Sequence, residues 1–308
     1  MSLRGLGFAL LAAWQISAGA QSTDGGIWHT VGGIGDGCSG RILAAAVDAA
    51  ANLYVGGETF AACGDVSASN IARWDGSAWH ALDSGISGII GTVRAIAVSG
   101  NDVYVVGNFA RAGSVDASNV ARWDGSTWHA LGSGITGTPG ISEVDAVAVS
   151  GNDVYVAGTF TSAGGIAVNN VAHWDGSAWH ALGTGIQNPP FGNPVAAAIA
   201  LSGTDVYAGG SDLSTGNGFV QHWTEATQSW TEISGLAFNT RINALAVQNG
   251  HVYAAGKFTH IGAIDASNIA MWDGAQWSTL AGALQTKLKQ WRYQRTYFMS
   301  VAATPSDI

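Results

Sequence analysis

Residues 143–182 show the pattern that organises the chain. EVDAVAVS (143–150) alternates apolar and polar positions and runs into the turn at Gly151, Asn152 and Asp153. DVYVAGTF (153–160) is a second short run, rich in β-branched and aromatic residues, and TSAGGIAVN (161–169) is a glycine-rich loop. NVAHWDG (170–176) is a third run closed by Asp-Gly, and SAWHALG (177–183) is a fourth. Period-two runs of this length, bounded by Gly, Asn and Asp, predict four short strands joined by turns. No stretch carries the 3.6-residue period of a helical repeat.

The same unit recurs. Its second tryptophan stands at Trp28, Trp79, Trp128, Trp179, Trp230 and Trp277, in steps of 51, 49, 51, 51 and 47 residues. The first stands at Trp74, Trp123, Trp174, Trp223 and Trp272, and a marker ending in glycine follows Tyr54, Tyr104, Tyr155, Tyr207 and Tyr253. Four antiparallel strands at a period near fifty match the blade of a β-propeller in the kelch length class. The first strand is alanine-rich (Ala44–Ala46, Ala95 and Ala97, Ala146 and Ala148, Ala197 and Ala198, Ala244 and Ala246), as crowding beside a central axis requires. The tryptophans supply the area for packing against the next blade. Asp-Gly after the first tryptophan is a hairpin turn, and Asn70, Asn119, Asn170 and Asn268 are expected to bond their own loop backbone.

The expected fold is therefore all-β, a propeller of five complete blades. The outer strand has a sixth copy, IWHTVGG around Trp28, with no three strands to join, so the repeat count leaves the ring open or incomplete. The repeat stops near residue 284, and residues 285–308 form a non-repeat basic tail. That break reads as a truncated or frame-shifted end in preference to a native tail. A fragment of a larger propeller is thus one expectation.

Composition supports the class. Of 308 residues, 47% are hydrophobic, 11% are charged and 44 are glycine, which suits a packed, turn-rich fold and not disorder. Residues 1–20 carry one positive charge, Arg4, near the start, continue as a short apolar run and end in Ala18-Gly19-Ala20, the pattern of a cleaved secretory signal peptide. The repeat domain is then 21–284. It carries seven basic and 20 acidic side chains, which argues against a nucleic-acid partner. No later stretch is long and apolar enough to span a membrane after signal cleavage. In an exported chain, Cys38, in the connection entering the first blade, and Cys63, in the loop between its second and third strands on the same face, are expected to form a disulfide.

Candidate chemistry is sparse. His29, His80, His129 and His180 each follow the second tryptophan on different blades and cannot converge on one metal. Asp75, Asp124, Asp175 and Asp273 offer one carboxylate per turn, too few for calcium. No metal or cofactor is expected. Arg73, Arg122, His173, His222 and Met271 hold equivalent positions and read as drift on an exposed face. The fourth blade departs most from the repeat, in its loop SDLSTGNG and in the preceding GTGIQNPPFGNP. Loops on one face of a propeller commonly carry function, so Phe191, Asp212 and Asn217 are the candidate ligand-binding residues. No P-loop, nucleophile elbow, HExxH or dinucleotide fingerprint is present.

The phrase N-[IV]-A-x-W-D-G-x-x-W-x-x-L-G-x-G, over roughly residues 27–284, resembles kelch-like secreted propeller repeats. In particular it resembles those of the fungal cortical cell-polarity marker family and its uncharacterised bacterial relatives. That resemblance implies a surface propeller. The fungal members' membrane anchoring is not carried over, since no anchoring helix follows the signal. Taken together, the expectation is a secreted or cell-surface, non-catalytic scaffold that binds a protein or carbohydrate ligand on one loop face. The rival is a carbohydrate-active propeller enzyme (hydrolase, lyase or oxidase). Such an enzyme needs polar residues that break the repeat and converge at the axis mouth, and the sequence shows too few.

Overall fold

A computed structural model describes residues 37–137, 143–186, 194–233 and 237–280, together with a short pairing of Ala20–Gln21 with Trp28–His29. Most of the signal segment, the tail and Phe191 lie outside the described residues.

Five four-stranded antiparallel sheets follow one another, each in the order in which its strands occur in the chain. Blade 1 is β1 (Arg41–Val47), β2 (Leu53–Glu58), β3 (Ile71–Trp74) and β4 (Trp79–Ala81). Blade 2 is β5 (Thr92–Ser99), β6 (Asp102–Asn108), β7 (Val120–Trp123) and β8 (Trp128–Ala130). Blade 3 is β9 (Glu143–Ser150), β10 (Asp153–Thr159), β11 (Val171–Trp174) and β12 (Trp179–Ala181). Blade 4 is β13 (Pro194–Ser202), β14 (Asp205–Asp212), β15 (Gly218–Thr224) and β16 (Ser229–Glu232). Blade 5 is β17 (Ile242–Gln248), β18 (His251–Gly256), β19 (Ile269–Trp272) and β20 (Trp277–Thr279). The first strands of successive blades lie against one another, so β1, β5, β9, β13 and β17 line the axis of a β-propeller.

The core sits between blades. One cluster joins Tyr54, Ile71 and Leu82 of blade 1 to Val93, Val105, Trp123 and Trp128 of blade 2. Equivalent clusters join blades 2 and 3, 3 and 4, and 4 and 5. The second tryptophan of the repeat packs on the preceding blade, not the following one. Its indole N–H donates to a leucine carbonyl there: Trp128 to Leu82 at 3.0 Å, Trp179 to Leu131 at 2.8 Å and Trp230 to Leu182 at 3.0 Å. The indole thus meets its hydrogen bond inside an apolar contact.

Two kinds of connection share one face of the propeller: those from a fourth strand to the next first strand, and those from second to third strands. They pair with each other. Ile86–Ser87 pairs with Arg111–Ala112, and Ile135–Thr136 with Ser162–Ala163. In blade 1 the matching bridge is Cys38 to Cys63, and there the apolar contact is replaced by a disulfide, with Cα atoms 3.8 Å apart. The asparagines before the third strands tie this face together more widely than expected. Asn119 accepts the Phe109 N–H at 3.0 Å and donates to the Ile135 carbonyl at 2.9 Å. Asn70 and Asn170 repeat the arrangement.

Candidate functional site

Every axis-lining strand carries a β-bulge one to three residues from its start, where the pairing register slips by one. The unpaired residues are Leu43, Arg94, Asp145, Ala197 and Asn243. The glycine that closes each tyrosine marker explains the slip. A Cβ at Gly107 would lie 2.0 Å from the Thr92 carbonyl oxygen, and one at Gly158 would lie 2.1 Å from that of Glu143. Only glycine lets the bulged backbone approach so closely. The bulges stand at the connection-face end of the strands, at the mouth of the axis.

In blades 1 and 4 the bulged residue is Leu43 or Ala197, so the fold itself needs no charge there. Blades 2, 3 and 5 place charges at this mouth. Arg94 Nη2 bonds Glu143 Oε1 at 2.6 Å. Arg94 Nε stands 3.9 Å from Asp145 Oδ1, and Arg241 Nη2 stands 4.0 Å from Asp145 Oδ2. Asp145 thus meets a blade two positions away, across the small Ala196 and Ala197 of blade 4. Its side chain is only 10% exposed. Burial pushes its carboxyl above the usual range, Arg241 and Arg94 pull it back, and Glu143 pushes it up again. Both ion pairs exceed hydrogen-bond length. Among the described residues, Arg94 Nε, Arg241 Nε and the Thr92 hydroxyl are buried without a hydrogen-bond partner.

Blade 5 adds a second irregularity. In blade 1, Arg41 faces Glu58 across the outermost rung and bonds it at 2.6 Å. The corresponding positions next to the Ile242–Gly256 rung hold Arg241 and Lys257, two cations. Arg41, Arg94, Arg241 and Lys257 are four of the seven basic residues in 21–284, gathered at one end of an acidic body.

This convergence corrects the expectation of too few repeat-breaking polar residues at the axis mouth. The charges at 94, 143, 145 and 241 were visible among the alanines of the first strands. What the sequence hid was the bulge, which shifts alternation by one residue and aims them together.

The residues singled out from sequence fall elsewhere. Asp212 ends β14 on the connection face and is buried, with 1% exposure. Its Oδ1 accepts the Ser214 N–H at 2.8 Å and hydroxyl at 2.7 Å, and these bonds hold the carboxyl below the usual range, the hydroxyl most of all. Asn217 is exposed, and its carbonyl accepts the Asp212 N–H at 2.9 Å. Both shape one loop of the connection face, and neither touches the axis cluster in any described hydrogen bond.

The rim residues have their own partners. Asp124 caps its turn by accepting Ser126 N–H and Thr127 N–H at 2.8 Å, and it lies 2.6 Å from His129 Nε2. Asp75 and Asp175 do the same with His80 and His180. Arg122, His173 and His222 are not drift on an exposed face. They are half-buried and pair with the first hairpin of their own blade, at Asp102 (3.0 Å), Asp153 (2.7 Å) and Asp205 (3.4 Å). His173 and His222 also stack on Tyr155 and Tyr207, with ring centres 4.4 Å and 4.3 Å apart.

No protein-family model and no curated protein matches the sequence. Among solved structures, the chain is similar to the computationally designed Ika8 protein, with a TM-score of 0.53 and 16% identity over 85% of this chain and 72% of that one. It is similar more distantly to a chain of a nidogen–laminin complex (TM-score 0.47, 12% identity, 75% of each chain). YCF48 bound to D1 peptide also matches (TM-score 0.45, 12% identity, 79% of this chain and 67% of that one). The likeness to Ika8 is one of fold.

Proposed function

We propose that this protein is an extracytoplasmic, non-catalytic propeller scaffold that binds its partner through the connection face. The observation that carries this reading is the distribution of exposed apolar side chains. Among the described residues the exposed large hydrophobics are Ile89, Ile90, Ile166, Leu213 and Val47. The first four project from connections on that face, around a charged axis mouth, and only Val47 ends a strand on the opposite one. Exposed apolar groups beside polar ones are what a protein-binding face presents. The Cys38–Cys63 disulfide supports an oxidising compartment. No helix among the described residues is long and apolar enough to cross a membrane.

The enzyme reading draws on one observation, the raised pKa of buried Asp145, which is a property of general acids. Yet Asp145 is flanked by two guanidinium groups and, among the described residues, hydrogen-bonded to no nucleophile or base. Immobilised peptide and glycan arrays, read for binding and for released product, separate the two readings. The scaffold binds without turnover, loses binding with Ile89→Ser plus Leu213→Ser, and keeps it with Val47→Ser. Product release, or binding indifferent to the connection-face changes, contradicts it.

A further inference from the structure

Arg241 and Lys257 flank the outermost Ile242–Gly256 rung of blade 5, two cations side by side that the fold does not require. Like charges brought close repel, and blade 1 shows that the corresponding positions accept a glutamate, Glu58, opposite Arg41. Blade 5 is therefore short of one anion at the axis mouth. Asp145 does not supply it, because its carboxylate stays 4.0 Å from Arg241 Nη2 and is shared with Arg94. Arg94 is already engaged with Glu143 at 2.6 Å. Arg241 is 42% exposed and forms no described hydrogen bond through its side chain, so its fork is open to a ligand.

We propose that the axis mouth is a carboxylate-binding subsite, in which Arg241 and Lys257 receive an acidic side chain of a peptide partner. The guanidinium fork matches a carboxylate in two parallel bonds, and the lysine adds a mobile point charge. The body as a whole repels anions, with 20 acidic side chains against seven basic ones in 21–284. An acidic side chain is thereby directed to the one end where the cations gather. Ile89, Ile90 and Leu213 on the same face give apolar neighbours of that carboxylate a place to pack, which a free anion would not use. Asp145 is the competitor: it lies nearest Arg241, and an incoming carboxylate must displace its influence. The proposal rests on the connection face being the binding face.

The test uses a fluorescein-labelled, end-blocked five-residue peptide alternating Leu and Glu, with the Leu and Gln version as its neutral control, read by anisotropy with the full chain. The Glu peptide should bind at least tenfold more tightly than the Gln peptide. Arg241→Ala should lose about tenfold or more, Lys257→Ala should lose less, and added salt should weaken binding. Asp145→Asn should tighten binding severalfold, a gain that misfolding cannot imitate. Equal binding of both peptides, unchanged binding by Arg241→Ala, or no binding of the Glu peptide at millimolar concentration overturns the subsite. Equal binding of both peptides that is lost with Ile89→Ser plus Leu213→Ser overturns the subsite alone and leaves the connection-face reading standing.

Discussion

Asn119 holds two connections of blade 2 together, and its replacement separates three contributions. Its backbone is left-handed, with φ of 65°. Its side chain accepts from Phe109 N–H and donates to the Ile135 carbonyl, beside residues that are 4% and 0% exposed. Asn119→Gly keeps the backbone conformation and removes both bonds. At about 1 kcal/mol per bond, plus roughly 1 kcal/mol for the buried N–H left unmet, the loss is about 2–3 kcal/mol. Asn119→Ala adds about 1 kcal/mol because Cβ disfavours the left-handed region. Asn119→Asp keeps the acceptor for Phe109 and loses the donor, so it falls between wild type and glycine. Urea denaturation, monitored by tryptophan fluorescence, gives the order wild type, Asp, Gly, Ala. An alanine variant as stable as the glycine variant would refute the backbone argument. A glycine variant as stable as wild type would refute the claim that this side chain joins the two connections.

Four other expectations are open to direct measurement. Gly158→Ala drives a Cβ into the Glu143 carbonyl oxygen, 2.1 Å away, and should cost about 2–3 kcal/mol in a urea titration, more than the same change at Gly151, whose Cβ meets nothing within 4 Å. Reducing Cys38–Cys63, which are 25 residues apart, should lower stability by about 3–4 kcal/mol on loop-closure grounds, seen as a lower denaturation midpoint in dithiothreitol. Asp75 and Asp175 are held below the usual carboxylate range chiefly by the Ser77 and Ser177 hydroxyls, and Asp124 chiefly by His129. Their contribution is therefore complete above about pH 4 and lost as pH falls further, so Asp124→Asn should flatten the acid limb of a stability–pH curve. Asp145 has the opposite sign: its folded value is raised, so its ionised form weakens the fold at neutral pH. Asp145→Asn should match or exceed wild-type stability at pH 7 and lose that advantage below about pH 4.

The blades were legible because a strand's period of two and the turn residues are local properties. The tryptophan phrase, the Asp-Gly turns and the alanine-lined first strands each mark a position in the blade, and the structure puts every one of the twenty blade strands where those markers fall. The disulfide was legible too, since both cysteines sit where connections of one face meet. The axis cluster was not. Alternation read without the bulge assigns Arg94 and Asp145 to the wrong phase, and only the marker glycines, Gly107 and Gly158, hint at the slip. The contact between Asp145 and Arg241 spans 96 residues of chain and depends on the small side chains of the intervening blade. Arg122, His173 and His222 were misjudged for a related reason. A charged residue that varies between repeats looks exposed, yet each is matched by an aspartate in the neighbouring hairpin turn.

The central claim is that the charges at the axis mouth serve binding and not folding. It is tested by replacing them with residues the repeat itself uses at equivalent positions: Arg94→Leu as in Leu43, Asp145→Ala as in Ala197, and Glu143→Thr and Arg241→Thr as in Thr92. The measurement is anisotropy of the Leu–Glu peptide on this fourfold variant beside wild type, at equal fractions folded by circular dichroism. The account predicts a folded variant that no longer binds. A folded variant that binds as wild type does, or a variant that cannot fold, contradicts it.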